Sequence, residues 1–135
     1  MMNKAVLAGL IALASPLILW PIEQVIRAPY LVEEGFKWWL LRMVVEQEKE
    51  SEERLLAWVF LVGLGMAMSE TMFYLMNINL LGNFSSLGRR LALTNGMHFF
   101  TVWLIYRGVR AGGQKLRVSL SVAVLIHLLF NAWVG

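Results

Sequence analysis

Five ionisable residues stand inside long apolar stretches of this chain and are the ones whose types could do chemistry: Glu33, Glu34, Glu70, His98 and His127. Two neighbouring carboxylates in a low-dielectric setting separate a base from an acid, because both ionise together only at a penalty. Lys37 stands at i,i+4 from Glu33 and i,i+3 from Glu34, so on a helix one ammonium can neutralise either carboxylate. The plain alternative is a Glu-Glu-Lys patch in the lipid headgroup region. His127 and Asn131 share one helical face at i,i+4, while His98 has Thr94 one turn behind it and Asn95 at i−3. Glu70, Tyr74 and Asn77 form a polar stripe, and Gly63 and Gly65 on the same segment allow another helix to come close. Imidazoles and carboxylates together can activate a water as base and oxyanion stabilisers. They can also hold a divalent metal such as zinc with nitrogen and oxygen donors, for which Glu70, His98 and His127 are the candidate ligands. The residues leave that choice open. With no cysteine in the chain, thiolate ligands and thiol nucleophiles are excluded, and the HExxH helix of zinc peptidases is absent.

Elements able to position these residues must be built from unusually apolar material. The 135 residues suffice for one domain, yet 59% are hydrophobic and only 16% charged, with a mean hydropathy of +0.63. That balance predicts an all-α integral membrane protein, a bundle of about five transmembrane helices in a single domain spanning 1–135. The net charge of +3 does not indicate a nucleic-acid binder, because the basic residues sit at the ends of apolar segments.

The predicted spans are 5–22, 28–45, 55–81, 91–106 and 118–134. The first is read as a retained anchor in preference to a cleaved signal peptide, with Pro16 and Pro21 expected to kink or end it. The segment 28–45 is ambiguous, since Glu33, Glu34, Lys37 and Arg42 interrupt it. With the N-terminus inside and five spans, Lys4, Arg42, Lys49, Arg54, Arg107, Arg110, Lys115 and Arg117 fall inside, against Arg27, Arg89 and Arg90 outside. A four-span arrangement with the N-terminus outside also meets the charge rule but strands Glu33 and Glu34 on the inner side. Five spans bring every buried ionisable residue into the outer half of the membrane, which favours one shared site over scattered helix-to-helix hydrogen bonds. The run 46–54 reads as a solvated loop or helix extension with an i,i+4 Glu50/Arg54 pair. The run 107–117, which combines glycines with four basic residues, reads as an inner-face loop near anionic lipid.

The order EEGFK at 33–37, GLGMAMSETMFY at 63–74, a lone His98 and HLLFN at 127–131 resembles the PrsW-type intramembrane peptidases, within the wider CAAX-protease and bacteriocin-processing superfamily. The similarity runs over roughly residues 33 to 131. It implies that Glu33 and Glu34 supply the catalytic carboxylate with Lys37 as its electrostatic partner. It also implies that Glu70, His98 and His127 complete the site, and that Asn131 orients water or binds the oxyanion. A prokaryotic cell membrane and a membrane-anchored protein substrate come with the resemblance. PrsW-type chains are generally longer, with more spans. The CAAX group usually places Arg one residue beyond the position of Lys37 and His in the second motif, so the PrsW-like branch is the better match. The leading expectation is an intramembrane endopeptidase using a Glu/His-activated water. The rivals are a small proton or metal-ion carrier and a non-catalytic immunity or interaction relative.

Overall fold

A computed structural model describes residues 4–26, 28–46, 51–81 and 84–134, with the side chains of residues 20, 23, 24, 69, 73, 74, 76–81, 84–87, 89, 90 and 134 outside that description. Within it the chain is all-α. Six helices follow one another: α1 Lys4–Leu13, α2 Ser15–Val25, α3 Pro29–Val45, α4 Glu52–Leu81, α5 Phe84–Ala111 and α6 Gly113–Val134.

The first apolar stretch is two helices rather than one. Pro16 has no N–H to give the carbonyl one turn back, so the helix closes at Leu13 and restarts at Ser15 with the proline in its first turn. Pro21 is accommodated inside α2. The ambiguous segment forms the continuous helix α3, because its two most awkward charges face the interior: Glu34 and Lys37 are both 0% exposed.

The run 107–117 is not a loop, which corrects the expectation from its glycines. α5 continues to Ala111 and α6 starts at Gly113. Gly112 and Gly113, at φ +67° and +54°, reverse the chain in one step through backbone conformations that only glycine adopts cheaply. Just before that turn α5 and α6 nearly touch: a Cβ on Gly108 would lie 2.7 Å from Ser119 Cβ. Gly63 on α4 faces Phe99 of α5, and Gly65 faces Ala12 of α1, each at 2.9 Å from a hypothetical Cβ. The glycines of α4 therefore seat two different helices. Residues 47–50 lie outside the described residues, and with them the Glu50/Arg54 pair; Arg27 and the side chains of Arg89 and Arg90 do too.

The start of α1 is tied to the end of α3, where Lys4 Nζ lies 3.8 Å from Glu46 Oε2. The same end gathers exposed Arg42, Arg54, Arg107, Arg110, Lys115 and Arg117. Two helices are long and apolar enough to cross a membrane, through windows Glu52–Met72 and Gly113–Trp133, and only 11% of the second window is buried. Large apolar side chains cover much of the outer surface, among them Leu17 (82% exposed), Leu129 (59%) and Trp133 (65%).

Candidate functional site

The interior of the bundle holds polar residues where an apolar core is expected. Glu34, Lys37, Thr94, Thr101, His98 and His127 are all at most 1% exposed. Four helices deliver the cluster: α3 carries Glu33, Glu34 and Lys37, α4 Glu70, α5 His98 and Thr101, and α6 His127.

Glu34 is the hub. Lys37, one turn along α3, donates from Nζ to Glu34 Oε1 at 2.5 Å and to Thr101 Oγ1 at 3.0 Å. The same Glu34 oxygen accepts from His127 Nδ1 at 2.7 Å. Thr101 has one hydroxyl proton, which it donates to the His98 carbonyl at 3.3 Å, leaving its lone pairs to receive Lys37. A buried carboxylate is tolerable only when charge and hydrogen bonds compensate it, and here the ammonium and the imidazole both do so. The hydrogen bond at Nδ1 also fixes how His127 presents its other nitrogen. Nε2 faces Glu33, 3.8 Å from Oε2.

A second group lies beside this chain. His98 Nε2 is hydrogen-bonded to Glu70 Oε2, and the rings of His98 and His127 meet edge to face with centroids 5.8 Å apart. Glu33, Glu70 and His98 each bring a possible ligand atom within 4.8 Å of the others. Two carboxylate oxygens and one imidazole nitrogen suit a divalent cation such as zinc. The sequence offers Glu70, His98 and His127 as candidate ligands should a metal bind. The structure groups Glu33 with Glu70 and His98, and it commits His127 Nδ1 to Glu34.

The two groups differ in access. The side chains of Glu34 and Lys37 are 0% exposed, whereas those of Glu33 and Glu70 are 17% and 21% exposed. Glu33 thus belongs to the open side of the site and Glu34 to its closed side. Glu34 Oε2, His98 Nδ1, Thr94 Oγ1 and Asn95 Oδ1 are buried without a hydrogen-bond partner among the described residues. Such atoms are rare in folded proteins and mark places where a polar ligand or water is received.

Asn131, one turn beyond His127, is half-buried and takes no part in the hydrogen bonds that join the cluster. The side chains of Tyr74 and Asn77 lie outside the described residues. Thr101 was missed by sequence reasoning. Its signal was its position, since Thr94, His98 and Thr101 make one buried polar stripe along α5.

No protein-family model, curated protein or solved structure matches this chain.

Proposed function

We propose that this protein is an integral membrane endopeptidase that hydrolyses peptide bonds of membrane-embedded or membrane-adjacent proteins. The observation that carries the reading is the meeting of Glu33, Glu34, Glu70, His98 and His127, from four helices, around a fully buried Lys37. Embedding in a membrane accounts for the exposed apolar exterior wrapped around a charged interior, the reverse of a soluble domain. In this reading α1 with α2, then α3, α4, α5 and α6 make five crossings. The basic end, with the start of α1, then lies on the inner side of the membrane.

The chemistry follows from the division between open and closed sides. Glu33, the accessible carboxylate, takes a proton from a water, and the water oxygen bonds to the scissile carbonyl carbon. His127, held through Nδ1 by Glu34, turns Nε2 toward the developing oxyanion and stabilises it when protonated. As the C–N bond breaks, the proton held by Glu33 passes to the leaving amine. Glu34 and Lys37 are positioning residues, and Glu70 keeps the ring of His98 aimed into the site. A divalent cation on Glu33, Glu70 and His98 would supply Lewis acidity to the same water.

The test is cleavage of single-span test proteins by the purified chain in lipid nanodiscs, followed by mass spectrometry, with and without a chelator. Glu33→Gln and His127→Ala are each expected to lower it by about 100-fold or more while the protein stays folded. Turnover unchanged in both variants overturns the proposal.

A further inference from the structure

Away from the cluster, the α5–α6 end of the bundle carries a charge imbalance that the proposed reaction does not use. Neither α5 nor α6 contains an acidic residue. Arg107, Arg110, Lys115 and Arg117 gather within eleven positions around the two-glycine turn. Elsewhere at this end the charges are matched, as Lys4 and Arg42 are by Glu46. Among the described residues no carboxylate pairs with the four cations of the hairpin.

Two open clefts lie at these cations. One, of about 640 Å³, is lined by Gly113, Gln114, Arg117, Val118, Ser121 and Val122. The other, of about 420 Å³, lies between the helices and includes Arg107, Lys115 and Ser119. The first continues into an exposed apolar stripe along α6, where Val118, Val122, Leu125 and Leu129 are 55%, 39%, 52% and 59% exposed. Their spacings of four, three and four place them on one helical face. At 1.5 Å per residue the stripe runs about 16 Å, close to half of a hydrocarbon core roughly 30 Å thick.

We propose that this face seats an anionic phospholipid, its phosphate held by Arg117 with Gln114 and Ser121 and an acyl chain laid along Val118, Val122, Leu125 and Leu129. The occupant is argued from complementarity. Unmatched positive charge with hydroxyl and amide donors stands at one end, and an uninterrupted apolar track one leaflet deep leads away from it. A soluble anion would use only the first feature, and a second copy of the chain only the second. The inference shares with the proposed function nothing but placement in a membrane.

Native mass spectrometry of the full chain, released from detergent and titrated with phosphatidylglycerol or phosphatidylcholine, reads the site directly. The first phosphatidylglycerol is expected to bind at least about 25-fold more tightly than phosphatidylcholine. Each basic residue contributes about fivefold, so Lys115→Gln/Arg117→Gln lowers that preference about 25-fold, whereas Arg42→Gln at the same end leaves it unchanged. Val122→Ser, which wets the track, weakens both lipids severalfold. Equal affinity for the two lipids overturns the proposal, as does an equal loss in the Arg42 variant. Displacement of the lipid by millimolar inorganic phosphate identifies a simple anion site instead, and a dimer that covers the stripe and ignores lipid identifies a protein interface. Either result also overturns it. Peptidase activity enters none of these readouts, so its absence would leave the lipid site standing.

Discussion

His127 Nδ1 lies 2.7 Å from Glu34 Oε1 although 93 residues separate the two in the chain. That oxygen is also the one on which Lys37 closes, so a single carboxylate oxygen fixes an imidazole from α6 and an ammonium from α3. For the proposed reaction this means that the groups are set before substrate arrives, the condition under which dipoles and charges stabilise a transition state without reorganising.

Stability should expose this pairing first. Glu34→Gln leaves the Lys37 ammonium buried without its counter-charge, and Lys37→Met does the same to Glu34. Each is expected to cost about 3–5 kcal/mol, while the double variant Glu34→Gln/Lys37→Met recovers most of the loss. Denaturant unfolding in detergent measures all three. Additive losses in the double variant would contradict a direct pair.

Glu33→Gln should separate chemistry from folding. The side chain is on the open side of the site, 17% exposed, so removing its charge changes the unfolding midpoint little. Turnover is expected to fall by about 100-fold or more, the usual contribution of a positioned general base.

Much of this was legible in the sequence, and the reason is physical. A charged residue inside a membrane-length apolar run must face the protein interior, so depth along each helix and shared helical faces draw Glu33, Glu34, Glu70, His98 and His127 together. Which carboxylate lies deeper was not legible, because adjacent residues on a helix point about 100° apart and only the packed neighbours decide which one is covered. Thr101 escaped for a related reason: a threonine in an apolar helix usually bonds its own backbone, and its second role depends on Lys37 arriving from α3. The helical course of 107–117 was hidden by glycines that serve a two-residue turn rather than a loop.

Thr101→Val and Thr101→Ser test that second role. Valine keeps the shape but removes the acceptor for Lys37 Nζ, now at 3.0 Å. The expected loss is about 1–3 kcal/mol in stability. A kcat reduced about tenfold is expected with KM within twofold, since the ammonium holds Glu34 and through it His127. Serine should restore both. A variant that unfolds more easily yet turns over normally would confine Thr101 to packing.

Glycine substitutions should divide by place. Gly108→Ala puts a methyl 2.7 Å from Ser119 Cβ and 3.2 Å from the Leu116 Cα, and about 1–3 kcal/mol of destabilisation is expected. Ser119→Gly in the same chain should relieve much of it. Gly96→Ala, with nothing within 4 Å of the new methyl, is expected to be neutral or to stabilise by up to about 1 kcal/mol. Thermal unfolding of the set is the measurement.

The two-glycine connection between α5 and α6 also bears on how the site is assembled. Closing so short a link costs little chain entropy, far less than joining α3 to α6 across the intervening helices. His98 and His127, with ring centroids 5.8 Å apart, therefore belong to one helical hairpin closed by a local link. The carboxylates of α3 reach this hairpin across the largest sequence separation in the cluster, 93 residues between Glu34 and His127, so a lesion in α3 would strip His127 of its partner while His98 kept its hydrogen bond to Glu70 of α4.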